Sequence, residues 1–406
     1  MKTDWVHKKL GELGYSYSGL SGKTIDDFGE GKPFIPYMNI FSNGEIDPDK
    51  LEYVRIADNE HQNKVEQGDW FFTTSSETPE EVGMTSVLVD NIGEAYLNSF
   101  CFGFRLYNKQ EFDPKFASYL FRSEELRKKI SLFAQGSTRY NLPKQQMFEK
   151  LFISYPASLS AQRHIAAILA SADKVIAATQ KTIAKYKQIK QGMMEELFNE
   201  QCTMNNVQWR KVKLGECLKQ KPDYGINAPA VPYDNNLPTY LRITDITEDG
   251  YYSKKDIVSV SSLDVLKYVM EEGDLVFART GASTGKTYLY NPQDGMLVFA
   301  GFLIRVRTDE NKLLPEFFKY QTQTPQYKNW IAANSMRTGQ PGINGNEYEE
   351  FSVPIPFKND KPDLAEQRRI ATILSGIDAK IAAEEKVLEK YEKVKKGLME
   401  RLLNEQ

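Results

Sequence analysis

The feature that most constrains the fold is an internal duplication. Residues 161–201 recur at 366–406, where every position pairs at an offset of 205 without a gap and about half of the pairs are identical. In both copies apolar residues fall three or four positions apart, which is the spacing of one face of an α-helix. About 40 residues at ~1.5 Å each would give a rod of roughly 60 Å, far longer than an average globular helix. We therefore expect two tandem halves, each ending in one long helix.

A long helix with one apolar stripe and a charged opposite face needs a partner, and the obvious partner is the other copy. The alternative is that each helix packs only on its neighbouring globular part. Polar residues interrupt the stripe at Thr179 and Lys190 in the first copy and at Glu384 and Lys395 in the second. The residues predicted to pair the helices are Ile165, Leu169, Ile176, Ile183, Tyr186, Met193 and Leu197 with Ile370, Leu374, Ile377, Ile381, Leu388, Tyr391, Leu398 and Leu402.

The helix ends carry local signals. Asp363 with Glu366 predicts a capping box at the start of the second helix, and Ser160 is a weaker predicted cap for the first. Gly192 and Gly397 recur near the far ends, where each glycine costs about 1 kcal/mol relative to alanine. Their retention indicates a close approach of helices or a bend, although inheritance through the duplication would also explain it.

The globular parts repeat more faintly. WVHKKLGE at 5–12 matches WRKVKLGE at 209–216, and VEQGDWFFTTSS matches MEEGDLVFARTGAS at the same offset of 205. Each part shows many short strands, few helices and polar loops, which is typical of an α+β domain of about 150 residues. The predicted segments are a first target-binding domain at 1–157, a long helix at 158–204, a second target-binding domain at 205–360 and a long helix at 361–406.

Composition narrows the class of protein. With 406 residues, 41% hydrophobic and 26% charged, the chain can form two or three globular domains. No apolar run approaches a membrane span and the N-terminus lacks a signal-peptide core, so we expect a cytoplasmic protein without a membrane partner. Three scattered cysteines indicate neither a disulfide framework nor a zinc cluster.

The charge of the chain is close to neutral. Its net charge is −3, with 18 basic against 23 acidic residues in 1–155 and 18 against 19 in 205–360. Neither domain is a basic block of the kind that free-standing DNA-binding proteins usually carry. Binding to nucleic acid would therefore depend on local patches, or on a partner that supplies most of the phosphate contacts.

The strongest enzyme-like motif is RTGASTGKT at 279–287, which resembles a phosphate-binding loop. It misses the required spacing because position 280 is threonine instead of glycine, and the following residues predict a strand and a turn instead of a phosphate-binding helix. His7, His61 and His164 are too far apart in the sequence to indicate a metal site or histidine-centred catalysis. The glycine-rich cofactor loop and the Asn/Asp-Pro-Pro-aromatic tetrapeptide of DNA aminomethylases do not occur in the sequence. We therefore expect a non-catalytic chain that binds no metal or cofactor.

Four polar loops remain, at 73–77, 137–141, 279–286 and 337–344. Their arginine, amide and hydroxyl side chains suit hydrogen bonding to base edges, and glycine lets the backbone approach phosphates. Any one of them could be only a turn, but matched positions in two duplicated domains favour a binding role. The predicted DNA-contacting residues are Tyr37, Asn39, Thr73, Thr74, Ser75, Ser76, Glu77, Ser137, Thr138, Arg139, Tyr140 and Asn141 in the first half and Arg242, Thr244, Arg279, Thr280, Ser283, Thr284, Lys286, Arg337, Thr338, Gln340 and Asn344 in the second.

Four motifs together resemble the specificity subunit of type I restriction-modification systems. They are LAEQRRIATILSGIDAKI, the looser SLSAQRHIAAILASADKVI, the opening Trp-x3-Lys-Leu-Gly-Glu and RTGASTGK, and they follow the family's order over essentially the whole chain. The resemblance implies two target recognition domains that each read one half of a split site in double-stranded DNA, with the helices paired as an antiparallel coiled coil that sets the gap. It also implies a methyltransferase (modification) subunit on each helix copy and restriction subunits in the full complex. S-adenosylmethionine would then be bound by the methyltransferase.

The first half departs from this pattern. Its TTSSETPEEVG loop lacks the Arg-Thr-Gly of the second half and carries three glutamates. Glu77 can accept a hydrogen bond from cytosine N4, whereas Glu80 and Glu81 would repel phosphates. The loops through which the first domain contacts DNA are therefore left open. The alternative function is a coiled-coil scaffold with protein- or carbohydrate-binding domains and no DNA role, and an enzyme that turns over nucleotide at Lys286 ranks third.

Overall fold

The chain forms two units, and each combines one globular domain with parts of both long helices. The computed structural model describes residues 4–199, 207–337 and 339–405. The first unit holds residues 1–181 and 386–406, and the second unit holds residues 182–385. Each unit therefore contains the start of one long helix and the end of the other. Within the described ranges, no helix has the length and apolar character that crossing a membrane requires.

The elements follow a similar but not identical order in the two halves of the chain. Up to the end of the first long helix they are β1 Trp5–Lys9, α1 Leu10–Leu13, β2 Gly14–Ser18, β3 Phe28–Ile35, α2 Tyr37–Ser42, β4 Glu52–Val54, β5 Trp70–Thr73, β6 Ser75–Ser76, β7 Thr85–Val87, β8 Tyr96–Leu97, β9 Cys101–Leu106, α3 Pro114–Leu120, α4 Glu124–Ser131, β10 Tyr140–Asn141, α5 Lys144–Lys150, β11 Phe152–Pro156 and α6 Leu159–Leu197. After it they are β12 Gln208–Lys213, β13 Asp223–Tyr224, β14 Ala230–Pro232, β15 Thr239–Leu241, β16 Val258–Val260, β17 Asp274–Ala278, β18 Thr287–Leu289, β19 Leu297–Phe299, β20 Leu303–Arg307, α7 Pro315–Gln321, α8 Pro325–Asn334, α9 Gly345–Glu349, β21 Ser352–Lys358, β22 Lys361–Pro362 and α10 Leu364–Leu402.

The two domains share one sheet plan. An antiparallel sheet in the order β2, β9, β5, β7 in the first domain is repeated as β13, β20, β17, β18 in the second. A second sheet ends in a parallel pair in each domain, β3 with β8 and β15 with β19. The opening and closing strands of each domain pair antiparallel, β1 with β11 and β12 with β21. The predicted α+β class is confirmed.

Aromatic side chains fill the core of each domain. In the first domain Trp70 is fully buried, with its ring centroid 5.3 Å from that of Phe104 and 4.7 Å from that of Phe121. In the second, Phe277 stacks on Tyr348 with centroids 4.4 Å apart. Burial of side chains of this size contributes roughly 1.5–3 kcal/mol each, so these rings hold the helices against the sheets that carry the loops.

The repeated Gly-Asp pairs at 68–69 and 273–274 have a structural role. The glycines adopt φ of 91° and 87°, a region that side chains with a Cβ disfavour. Each aspartate is 1% exposed and binds an arginine of the neighbouring strand, Arg105 at 2.7 Å or Arg307 at 2.6 Å. The motif therefore starts the central strand of each main sheet and fixes it to its neighbour.

A buried glutamine ties the start of each long helix to its domain. Gln162 and Gln367 are both 0% exposed. Gln162 accepts a backbone N–H at 2.8 Å and donates to a carbonyl at 3.0 Å within 111–113, and Gln367 makes the same two bonds at 2.9 Å each within 312–314. In both halves, the side chain of this glutamine therefore joins the start of the long helix to the backbone of its domain.

The predicted caps are only partly right. Asp363 accepts the N–H of Glu366 at 3.1 Å and caps the second helix. The carboxylate of Glu366, however, binds Arg369 at 2.7 and 2.8 Å, so the reciprocal half of the capping box is missing there. The first helix begins at Leu159, which places Ser160 inside the first turn, and its predicted role as a cap is wrong.

In the first unit the start of α6 packs beside the end of α10. Ile165 and Leu169 share a hydrophobic cluster with Leu402, and this cluster also contains core residues of the domain. Further along, Asp173 pairs with Lys395 at 2.5 Å. Because the residue numbers rise in one helix as they fall in the other, the two segments run antiparallel.

The second unit repeats this arrangement with the helices exchanged. Met194, near the end of α6, shares a cluster with Ile370 and Leu374 at the start of α10 and with the domain core. Lys190 pairs with Asp378 at 2.7 Å. The two ion pairs are equivalent under the offset of 205, so the lysine that interrupts the stripe has a partner in both units. Each helix packs on its own domain as well as on the other helix.

The predicted pairing residues differ in burial. Those that are buried are Ile165, Leu169, Ile183, Ile370, Leu374 and Ile381, and those that are half-buried are Ile176, Tyr186, Met193, Leu197, Ile377, Leu388, Leu398 and Leu402. Tyr391 is 40% exposed, so its predicted place in the seam is wrong. A Cβ placed on Gly192 or Gly397 would meet no described atom within 4 Å, which also contradicts a close approach at these glycines.

Candidate nucleic-acid interface

In the first unit the two predicted loops lie side by side. Strands β6 and β10 pair, with Ser76 opposite Tyr140 and Ser75 opposite Asn141. Arg139 donates to the hydroxyl of Ser75 at 3.0 Å from Nη2 and at 3.2 Å from Nε. Two segments that are distant in the sequence therefore form one polar ledge.

A surface cleft of about 640 Å³ opens beside this ledge. The predicted residues that line it are Tyr37, Ser75, Ser76, Glu77, Thr138 and Arg139. The cleft is completed by Met38, Phe41, Glu81 and Phe100. Hydroxyl, carboxylate, guanidinium and aromatic groups thus converge from separate parts of the domain, which is the mixture that base edges require.

Half-buried Arg122 positions the wall of the cleft that α2 forms. Its guanidinium donates to the backbone carbonyls of Ile40 at 2.7 Å and Asn43 at 2.5 Å. Burial lowers the pKa of Arg122 to about 10, so the side chain stays protonated at neutral pH. From the helix held in this way, Tyr37 donates its hydroxyl to the carbonyl of Ser75 at 3.0 Å.

The second unit joins its two polar loops in the same place. Thr280 forms an antiparallel bridge with Gly342, and the N–H of Ile343 donates to the carbonyl of Arg279 at 3.0 Å. This contact corresponds to the pairing of β6 with β10 in the first unit. The loop at 279–286 then leads into β18 instead of a helix, as predicted for a loop that is not a phosphate-binding motif.

Arg279 lies between two aromatic rings. Its guanidinium carbon is 5.1 Å from the ring centroid of Tyr224 and 5.8 Å from that of Phe302, and its Nε donates to the carbonyl of Gly301 at 3.1 Å. Two cation–π contacts and one hydrogen bond therefore restrict the position of the guanidinium.

An exposed phenylalanine beside the loops recurs in both domains and was not predicted. Phe100 is 59% exposed and Phe302 is 56% exposed. The carbonyl of Phe100 accepts the N–H of Thr74 and that of Phe302 accepts the N–H of Arg279, both at 3.1 Å. The signal in the sequence is an aromatic residue directly before the strands β9 and β20, but its exposure depends on the tertiary fold.

Four predicted DNA contacts of the first domain are buried. Ser75 and Ser76, which are 6% and 7% exposed, still line the cleft, whereas Asn39 and Thr73 lie inside the protein. Asn39 is 2% exposed and donates to the carbonyls of Asp47 at 2.9 Å and Lys50 at 3.1 Å, while Thr73 is fully buried. Both positions contradict the predicted role in DNA contact, because neither side chain faces solvent. Asn39 instead holds the turn that follows α2.

Several predicted cations of the second domain are paired within the domain. The pairs are Arg242 with Asp245 at 2.7 Å, Lys286 with Glu248 at 2.6 Å and Arg337 with Glu347 at 2.5 Å. Asn344 caps α9 by accepting the N–H of Glu347 at 3.0 Å, which gives it a structural role. Thr338 lies outside the described residues.

The remaining predicted residues lie on or near the surface. Those that are exposed are Glu77, Ser137, Thr138, Arg139, Asn141, Thr244 and Gln340, and those that are half-buried are Tyr37, Thr74, Tyr140, Arg279, Thr280, Ser283 and Thr284. Among the described residues, no cluster of three or more His, Cys, Asp or Glu side chains could hold a metal ion.

Comparison with known proteins gives the family. The family model described as type I restriction modification DNA specificity domain matches the chain twice, over residues 2–189 and 206–393. The MjaX and MjaVIII type I restriction enzyme specificity subunits of Methanocaldococcus jannaschii are 29% and 25% identical over 39% and 48% of the chain. These alignments span only 35% and 41% of the two archaeal proteins. The StySPI specificity subunit of Salmonella potsdam is 23% identical over 85% of the chain and 76% of its own length.

Solved structures share the fold. An S subunit of a type I restriction-modification system from M. genitalium gives a TM-score of 0.58 at 14% identity, covering 100% of this chain and 97% of the other. A chain from a structural study of complex assembly in the type I system gives 0.60 at 17% identity, covering 100% and 99%. Since the family model covers most of the sequence and covers it twice, the chain belongs to the type I restriction-modification DNA specificity family, with two copies of its domain.

Proposed function

We propose that this chain selects the DNA target of a type I restriction-modification complex, and that each recognition domain reads one half of a split site in duplex DNA. The observation that carries the proposal is the duplicated loop pair. In each unit two polar loops from distant parts of the domain are joined on the same strand framework. The side chains on these loops differ between the domains, so the two half-sites should differ in sequence.

The charges favour a subunit that depends on a partner for non-specific affinity. The cleft of the first domain holds Arg139 together with Glu77 and Glu81. In the second domain Lys286 and Arg337 are paired with carboxylates. Among the described residues of these loops, few cations are therefore left to neutralise phosphates, and most of the salt-dependent affinity would come from partner subunits that enclose the duplex.

We further propose that the long helices dock two methyltransferase subunits, and that restriction subunits join this assembly. A stripe of Tyr, an aliphatic residue and Gly at intervals of three occurs at 186, 189 and 192 and again at 391, 394 and 397. Ile189 is 40% exposed and Val394 is 56% exposed. No described atom lies within 4 Å of a Cβ placed on either glycine. Two equivalent stripes suit two copies of one partner, which would bind S-adenosylmethionine and carry the catalysis.

The reading function is tested by mapping methylated bases in a host that expresses the chain with its methyltransferase subunit. A split methylated motif is expected. Replacing residues 205–360 with the corresponding domain of another specificity subunit should change one half of the motif and leave the other half intact. A motif that survives the exchange unchanged would contradict the assignment of reading to these domains.

The docking function is tested by counting bound partners. Ile189→Glu or Val394→Glu should reduce the complex from two methyltransferase subunits to one, and the double variant should bind none, as measured by native mass spectrometry. Ala184→Glu places the same charge on another exposed part of the first helix and should leave two. Two partners on the double variant would refute docking at the stripes.

A further inference from the structure

The second recognition domain contains one arginine that is held in place and yet has free donors. Arg279 uses Nε on the carbonyl of Gly301, and the rings of Tyr224 and Phe302 lie on its guanidinium. Among the described residues, no protein group lies within hydrogen-bonding distance of its two terminal nitrogens. These nitrogens form a planar fork of the kind that binds two acceptors side by side.

The other arginines predicted to contact DNA in this domain, Arg242 and Arg337, use their terminal nitrogens in hydrogen bonds within the protein. Arg242 uses Nε and Nη2 on Asp245, at 2.9 and 2.7 Å. Arg337 uses Nη2 on Glu347 and Nη1 on two backbone carbonyls. Reading a base with either would first break these bonds, whereas Arg279 needs no such rearrangement.

The surroundings of Arg279 fit a base edge better than a phosphate. The two neighbouring rings are themselves open to solvent, Tyr224 at 42% and Phe302 at 56%. Exposed rings complement the edges and methyl groups that bases present in the major groove, while a phosphate is best served by a cluster of cations and N–H groups. Lys286, the other cation of the loop at 279–286, is occupied by Glu248 at 2.6 Å.

We propose that Arg279 reads a guanine in the half-site of the second recognition domain, by donating from its two terminal nitrogens to O6 and N7 in the major groove. This inference rests on the proposed function of the chain. Phe302 and Tyr224 act as positioning residues, because they restrict the position of the guanidinium before DNA arrives. Ordering the side chain in advance reduces the entropy lost on binding and makes the two-point contact selective.

The test uses the chain in complex with its methyltransferase subunit and duplexes in which the mapped second half-site is varied one base pair at a time. Wild-type complex should require guanine at one position of that half-site. Arg279→Lys keeps the charge but loses the fork, and the preference for that guanine should fall roughly 5- to 150-fold. Phe302→Ala should reduce the same preference by a smaller factor and leave the first half-site unaffected.

The matched control is Arg210→Lys. Arg210 also lies over a phenylalanine ring, 4.7 Å from the centroid of Phe357, but on strand β12, outside the loops. It should leave every base preference unchanged. A uniform loss of affinity with a shallower salt dependence would assign Arg279 to a phosphate and overturn the inference, as would an unchanged preference for guanine. Failure of wild-type complex to show any split motif would instead refute the proposed function itself.

Discussion

At the scale of single residues, the buried glutamines at the helix starts are expected to contribute to the stability of both halves. Gln162→Met and Gln367→Met keep the volume but leave backbone groups of 111–113 and 312–314 without their partners. Each unpaired buried group costs about 1–3 kcal/mol, so the loss of two such partners should lower the free energy of unfolding by about 2–6 kcal/mol per variant. Urea titration measures the difference.

Gln188→Met is the matched control for these variants, because Gln188 is exposed on the first long helix. Its effect should stay within about 0.5 kcal/mol, as for most surface substitutions. If the Gln162 and Gln367 variants were as stable as this control, the two glutamines would not stabilise the helix starts and the repeated helix start would need another explanation.

Residue type alone predicted only part of the candidate interface. Polar composition predicted the loops that carry Ser75, Arg139 and Arg279, and the structure joins these loops within each domain. The same reasoning also selected Asn39, which is buried, because composition does not tell which way a side chain faces. It missed Phe100 and its counterpart Phe302, since an apolar residue is expected inside until the fold shows it outside.

At the scale of elements, the two equivalent ion pairs between the long helices differ in burial. The side chains of Lys190 and Asp378 are both 11% exposed, whereas those of Lys395 and Asp173 are 27% and 39% exposed. Removing one partner of a buried pair strands a charge at low dielectric, while a solvated pair contributes little. Lys190→Met should therefore destabilise the protein by about 3–5 kcal/mol, and Lys395→Met by about 1 kcal/mol or less.

The comparison of Lys190→Met with Lys395→Met needs a control variant that leaves no buried charge without its partner. Lys190→Met combined with Asp378→Leu removes both charges and should recover most of the stability lost in the single variant, as measured by urea titration. Equal losses in Lys190→Met and Lys395→Met would show that burial does not separate the two pairs.

Acid should selectively remove the contribution of Asp378. Burial alone would raise the pKa of this carboxyl, but Lys190 and the hydroxyls of Tyr251 and Tyr320 outweigh it and hold the pKa below its ordinary value. A depressed pKa contributes stability that is complete above the ordinary range of aspartate, about pH 4, and is lost as the pH falls through the folded value. Unfolding measured from pH 7 to pH 2 should show a steeper acid loss for wild type than for the Lys190→Met, Asp378→Leu double variant, and parallel curves would contradict this.

The long helices were predictable because their signal is local. A 3.6-residue period sustained over 39 residues depends only on neighbouring turns, and the structure gives both helices that length. The pairing of β1 with β11 and of β12 with β21 joins strands from opposite ends of a domain, and no local pattern indicates which strands meet. Most of the residues predicted for the seam are buried or half-buried, whereas Tyr391 is 40% exposed.

At the scale of the whole molecule, the boundaries of the two units do not coincide with those of the two repeats, because the first unit consists of two separate stretches of chain and the second is one stretch that begins and ends within a long helix. Each long helix starts in the unit of its own domain and ends in the other, with the division near 181 and 385. Duplication followed by antiparallel pairing explains this, since each copy of the helix supplies the partner that the other requires. The domains can therefore change their loops independently while the helices stay paired.

If the paired helices set the gap between half-sites, shortening both of them by the same amount should shorten the gap. Deleting 178–184 and 384–390 removes seven residues from each helix, which keeps the apolar face in register and retains the Asp173–Lys395 and Lys190–Asp378 pairs. Seven residues correspond to about 10 Å, or about three base pairs. The methylated motif should keep both half-sites and lose about three base pairs between them, whereas deleting 178–184 alone should abolish methylation because the helices no longer match. An unchanged gap in the double deletion would show that some other part of the complex measures the distance.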